Sequence, residues 1–198
     1  MTILKTAVLG MAMTAMFALP PAHAGPLADF FRSLSEPTLP GGPGWDYRRQ
    51  TVNFPTHEKP GTIIIDTRNK FRFYVLDGTR ALRYGVGVGR EGFGWHGTVH
   101  VGRKAEWPGW TPPAQMIVRE RKRGRIIPNY MAGGEGNPLG ARAMYLFDGG
   151  RDTMFRIHGT SEPWTIGTNV SSGCIRLVNA DVIDLYGRVR IGTKVIVL

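Results

Sequence analysis

The chain has 198 residues, 25 Lys and Arg against 15 Asp and Glu, a formal net charge of +10, and one cysteine. That is enough apolar chain for one ordinary domain with an extension, and a single cysteine excludes an intramolecular disulfide framework.

Residues 1–24 read as a secretory signal peptide. Lys5 supplies a positive start, Thr6 to Leu19 is mostly apolar, Pro20 and Pro21 break the run, and Ala22-His23-Ala24 forms a small-x-small cleavage site before Gly25. The run is short for a bilayer span, which needs about 20 residues, and no later segment is a transmembrane candidate. An uncleaved N-terminal anchor is the alternative. Cleavage removes only Lys5 from the basic excess. Export argues against nucleic acid as partner, whereas an anionic envelope polymer or substrate carboxylates fit the charge. A merely solvated basic surface is the rival reading.

Residues 25–60 are rich in Pro and Gly and show little periodicity, which predicts a linker or arm with little regular structure. From Gly61 the pattern changes. "TIIIDT" (62–67) is β-branched. "NKFRFYVLDG" alternates, with Phe71, Phe73 and Val75 on one face and Arg72 and Tyr74 on the other. Asp77-Gly78 predicts a hairpin turn before "ALRYGVGVG". "TVHVGRK" (98–104), "ARAMYLF" (141–147), "MFRIHG" (154–159) and the closing "TKVIVL" are further strands. Residues 105–140, with Trp107, Trp110, Pro112 and Pro113, read as a long irregular excursion. "NADVIDLYGRV" (179–189) predicts a helix. Asn179 is its N-cap, Asp181 lies in its first turn, and Val182, Leu185, Tyr186 and Val189 recur at helical spacing. Residues 61–198 thus form a mainly β domain, sandwich-like or barrel-like, with one or two packed helices.

The chemistry concentrates in "RIHGTSEPWTIGTNVSSGCIRL" (156–177). An unpaired cysteine in an exported chain is an intermolecular partner, a reactive thiol or a buried inert side chain. Cys174 needs a base to become a nucleophile, and His158, at a predicted strand end, can be one. Gly173 permits a tight turn, and its N–H with that of Cys174 suits an oxyanion hole. In extended chain, Arg176 shares a face with Cys174, where a guanidinium can grip a substrate carboxylate. The bland alternatives are an ordinary strand-end histidine and a surface ion-pair arginine. His96 and His100 sit in a strand-like pattern that argues against a helical metal pair, and there is no metal-ligand cluster or phosphate-binding Gly-rich motif in the sequence.

These stretches, with "IIIDTRNKFRFYVLDG", "YGVGVGR", "WPGWTPP" and "NPLGARAMYLF" upstream and "GTKVIVL" downstream, closely resemble the L,D-transpeptidase (YkuD-type) catalytic domain over roughly residues 61–198. The resemblance implies Cys174 as nucleophile, His158 as base, the Gly159 carbonyl as the group orienting the imidazole, and Ser171 as the Ser/Thr of the motif, on the substrate side. Ser172 stands where the family often has His, which leaves its backbone N–H as a further candidate for the oxyanion hole. "GWHGTVHVG" also departs from the family's usual Thr-Pro-x-Gly. The implied activity is peptidoglycan cross-linking in the periplasm or cell envelope, without metal or cofactor, on stem peptides and in a carbapenem-sensitive manner. The same site with water as acceptor would be an L,D-carboxypeptidase, and with a protein amine it would attach envelope proteins to the wall. A non-catalytic wall-binding module is the reading from another class.

Overall fold

In the computed structural model, which describes residues 42–90 and 94–198, the arm is less irregular than its composition predicts. The signal peptide and residues 25–41 lie outside the described residues. After a 3-10 turn at Trp45–Tyr47, Gln50–Asn53 forms β1, antiparallel to β4 (Arg80–Gly85). Four residues are too few to show a period, so only the edge of β4 reveals this strand.

The other strands are β2 (Ile63–Asp66), β3 (Phe71–Val75), β5 (Val88–Gly89), β6 (Gly97–Glu106), β7 (Arg142–Asp148), β8 (Arg151–His158), β9 (Asn169–Ser171), β10 (Ile175–Arg176) and β11 (Lys194–Val197). Nine of the eleven described strands make one sheet in the order β1-β4-β3-β2-β11-β6-β7-β8-β10, and β5 pairs with β9 separately. Two helices, α1 (Ala114–Lys122) and α2 (Asn179–Arg188), complete the mainly β architecture. None of the described helices is long and apolar enough to cross a membrane.

The core gathers Ile63 and Ile65 of β2, Val99 and Val101 of β6, Met144 and Leu146 of β7, and Val182 and Leu185 of α2. Burying these β-branched and leucine side chains supplies about 1.5–3 kcal/mol each. On β3 both Arg72 and Val75 are fully buried, at 0% exposure, while Phe71 and Phe73 stay half-buried. The arm explains this: Phe54 stacks on Phe73 with ring centroids 4.4 Å apart, and Tyr47 meets Phe71 at 5.5 Å. On the other face the Arg72 guanidinium lies 3.8 Å over the Tyr84 ring. Burial lowers its pKa to about 10, against the charges of Tyr84, Asp181 and Asp184.

Helix α2 is fixed at both ends. Val178 takes the N-cap position without a side-chain bond, and Asn179 is the first helical residue. The Asn179 side chain instead accepts the Ala141 N–H at 2.9 Å. It can reach there because Gly140 and Gly159 have no side chain; a Cβ on either would lie 2.3 Å from Asn179 Oδ1. At the other end Lys104 donates to the carbonyls of Tyr186 and Val189, each at 2.6 Å, placing a cation on the negative end of the helix. Gly159→Ala is therefore expected to lower stability by about 1–3 kcal/mol, the usual overpacking cost, read as a fall in melting temperature. Unchanged melting would mean that the Asn179 contact gives way freely.

The excursion at 105–140 contains a helix that its composition hides. Pro112 and Pro113 precede α1, and the carbonyl of Pro113 accepts from the N–H groups of Met116 and Ile117. The helix is mostly polar, and its one buried residue is Glu120, held by Arg119, Arg123 and Arg125. With no apolar stripe there was no helical period to read.

Candidate active site

Strand β8 ends at His158, and β10 lies parallel beside it, with Ile175 opposite Ile157 and Arg176 opposite His158. Partners across a ladder point to the same face. Ile157 and Ile175 face the core, at 0% and 1% exposure, so His158 and Arg176 share the opposite face. Two residues earlier stand Arg156, on β8, and Cys174, just before β10, and alternation carries both toward that same face. The register is held by Leu177 N–H to His158 O at 2.9 Å. On the other edge of β10, Arg176 and Gly87 exchange bonds of 2.8 and 2.9 Å. The segment between His158 and Cys174 loops out through a 3-10 turn at Pro163–Thr165 and returns as β9.

His158 is 4% exposed. Its Nδ1 lies 2.6 Å from the Gly159 carbonyl. A carbonyl only accepts, so Nδ1 carries the proton and Nε2 keeps its lone pair. Burial drives the imidazole pKa down to about 3. The charges of Arg176 and Arg156 add to this, and the carbonyls of Gly159 and Leu139 oppose it. Burial also raises the Cys174 thiol, opposed by the Arg156 backbone N–H and the guanidinium groups of Arg156 and Arg176. At neutral pH the site thus rests with Cys174 as a thiol and His158 as a neutral imidazole.

Ser171, 4% exposed, turns its hydroxyl inward. It donates to the Cys174 carbonyl at 2.6 Å and accepts the Gly173 N–H at 3.1 Å. The Ser171 hydroxyl thus ties the nucleophile turn together, and the Gly173 N–H points to it, whereas the N–H groups of Ser172 and Cys174 are the other oxyanion candidates of this turn. Gly173 has φ of 105°, a conformation costly for any residue with a Cβ. Its carbonyl accepts the Trp95 indole N–H at 3.2 Å.

Arg176 bonds Glu162 at 3.0 Å; its side chain is 17% exposed and that of Glu162 is 50% exposed. The Arg176 Nε is buried without a hydrogen-bond partner. Arg156 was not singled out from the sequence. It forms two bonds with Asp152, at 2.7 and 3.0 Å, and lies 4.4 Å over the Tyr145 ring. The signal was available, since Arg156 stands two residues before His158 on a strand, as Cys174 stands two before Arg176. His96 and His100 are exposed.

The site therefore combines a half-buried thiol, a buried neutral imidazole and two flanking guanidinium groups on one sheet face. Residues 60–197 match the family model of the L,D-transpeptidase catalytic domain, YkuD. The chain belongs to the L,D-transpeptidase (YkuD) family. Among curated relatives, Probable L,D-transpeptidase ErfK/SrfK of Escherichia coli K12 is 33% identical over 179 residues, covering 87% of this chain and 53% of its own length. The chain thus spans about half the length of the curated relatives it matches. A crystal structure of an Enterococcus faecium L,D-transpeptidase point mutant shares the fold at 21% identity and a TM-score of 0.51, covering 71% of this chain and 50% of that one. A Brucella melitensis crystal structure is 51% identical, with a TM-score of 0.51, over 77% of this chain and 94% of that one. That protein is named a probable carnitine operon oxidoreductase.

Proposed function

We propose that this family member is an exported peptidoglycan L,D-transpeptidase of the periplasm or cell envelope that works through a Cys174 thioester. The observation that supports the reading is the β8–β10 register, which pairs Arg176 with His158 two residues after Cys174, together with the His158 Nδ1 to Gly159 carbonyl contact.

As the Cys174 sulfur attacks the carbonyl of the third residue of a stem tetrapeptide, its proton passes to His158 Nε2. The imidazolium then protonates the departing amine of the terminal D-alanine, leaving a thioester. An amine of a second stem attacks the thioester, gives its proton to His158, and the new amide forms as the sulfur leaves and is reprotonated. The acyl group stays activated as the thioester, so the chain's own groups suffice for transfer. N–H groups of Ser172 and Cys174 stabilise the oxyanion. Arg176 holds a donor carboxylate in place of Glu162.

The test is mass spectrometry of the products from purified stem tetrapeptides. A cross-link between two third residues supports the reading. Trimmed stems alone would make the enzyme a carboxypeptidase, attachment to protein would make it a tethering enzyme, and unchanged stems would overturn acyl transfer. A carbapenem presents a strained carbonyl to the same sulfur, so intact-mass analysis should find one adduct, mapped to Cys174. No adduct on an enzyme active toward stems would count against this cleft.

Arg176 gives a graded test. Losing a charge-assisted bond costs about 1.5–3 kcal/mol, so Arg176→Ala should lower kcat/KM by roughly 10–150-fold. Arg176→Lys keeps the charge without the planar fork and should recover only part. Amidating the donor carboxylate should slow the unsubstituted enzyme and barely affect Arg176→Ala. Equal sensitivity in both would reduce Arg176 to the partner of Glu162.

A further inference from the structure

The Gly173 carbonyl and the Cys174 N–H belong to one trans peptide and point in opposite directions, so whatever holds the carbonyl also aims the N–H. The Trp95 indole N–H donates to that carbonyl at 3.2 Å. Among the described residues the Cys174 N–H makes no hydrogen bond, which leaves it to a substrate oxygen.

The Ser171 hydroxyl holds the peptide planes on either side of this one, through the Gly173 N–H at 3.1 Å and the Cys174 carbonyl at 2.6 Å. The plane between them is left to Trp95. Its orientation is set by ψ of Gly173 and φ of Cys174, and Gly173, at φ of 105°, has no Cβ to resist rotation. Without a clamp that plane can turn over and carry the Cys174 N–H away from the carbonyl under attack.

Trp95 is itself held. Its ring stacks on Phe155 with centroids 4.7 Å apart and an interplanar angle of 9°, and both side chains pack against the core. Phe155 stands on β8, the strand that ends at His158. One strand thus carries both the base and the platform of the clamp, which ties the direction of the oxyanion donor to the position of the imidazole. The indole bond also polarises the peptide and makes the Cys174 N–H a stronger donor.

We infer that Trp95 is a positioning residue for acyl transfer, its indole N–H locking the Gly173–Cys174 peptide so that the Cys174 N–H faces the oxyanion. The inference deepens the acyl-transfer reading above and rests on it.

Trp95→Phe keeps a ring against Phe155 and removes the N–H. Benzothienylalanine at the same position keeps the full bicyclic shape without a donor. Two reactions of the chain's one cysteine separate the roles. Acylation by a carbapenem builds an oxyanion, whereas alkylation by iodoacetamide displaces iodide at a saturated carbon and builds none. Both replacements should slow acylation and the kcat of stem transfer by about three- to tenfold, the scale of one neutral hydrogen bond. That is less than the roughly 10²–10³-fold cost of deleting an oxyanion donor. The alkylation rate and the KM for stems should not change, because the bond acts on a group engaged in the transition state. The Cys174 amide signal in the NMR spectrum should move in both replacements, since the carbonyl of its peptide has lost a bond.

Acylation at the unsubstituted rate in both replacements would overturn the clamp. Acylation and alkylation falling together would mean that Trp95 supports the thiol or the fold, and would overturn it as well. If the unsubstituted enzyme leaves stems unchanged yet takes the carbapenem, the transfer reading fails, and the two rates still decide the clamp. An unsubstituted enzyme that accepts neither stem nor carbapenem, while iodoacetamide labels Cys174, would overturn both.

Discussion

Cys174→Ser protein is expected to fold normally and to lose acyl transfer by a factor on the order of 10⁴ or more, because a hydroxyl is far harder to ionise than a thiol. Serine is nearly isosteric, and the bonds that shape the turn use the Cys174 carbonyl, the Ser171 hydroxyl and the Gly173 N–H, none of which changes. Melting temperature should therefore stay within a degree or two, on the usual scale of substitutions that leave packing intact. The readout is release of D-alanine together with intact mass after a carbapenem pulse. Near-normal turnover, or an adduct elsewhere on the chain, would remove Cys174 from the mechanism.

His158→Ala should lower kcat/KM by roughly 10²–10⁴-fold, the usual weight of a general base. Its pH behaviour is the sharper test, because the imidazole is held down at about 3 in the fold. In the unsubstituted enzyme the acid limb of kcat/KM should not appear at the ordinary histidine value near 6.5 but well below it. A limb near 6.5 would mean that the folded imidazole titrates normally and that burial does not keep it neutral.

Stability carries the opposite cost. Between about 3 and 6.5 the unfolded chain binds a proton at His158 that the folded chain refuses. Stability is thus fully present above the unfolded value and falls as pH drops through this window, by up to about 1.4 kcal/mol per unit. His158→Ala should lose that part of the acid sensitivity. If its acid denaturation midpoint matches that of the unsubstituted protein, the histidine is not the group being forced to charge.

Much was legible in the sequence because it is local. Alternating and β-branched runs mark strands wherever one face is buried, so β2, β3, β6, β7 and β11 stand near the predicted runs. The period of Val182, Leu185 and Val189 marks α2 for the same reason. The reactive residue types are also local facts: one thiol and a histidine before a glycine can be picked out without coordinates.

What tertiary structure decided is every partnership between distant segments. Asn179 looked like a helix cap and instead bonds Ala141, because two glycines elsewhere in the chain open the space. The Ser171 hydroxyl closes the turn under Cys174, a bond that no local pattern announces. The face of β3 that buries Arg72 was fixed by the arm covering Phe71 and Phe73, and by Tyr84 opposite. Helix α1 escaped notice because its one buried residue is a glutamate held by arginines, and ion pairs have no period. Arg156 and Trp95 join the site only through the register of β8 with β10 and the fold of the turn. Local pattern is set by which face meets water. A hydrogen bond between remote residues depends on register and the space left by missing side chains, and these exist only once the sheet has closed.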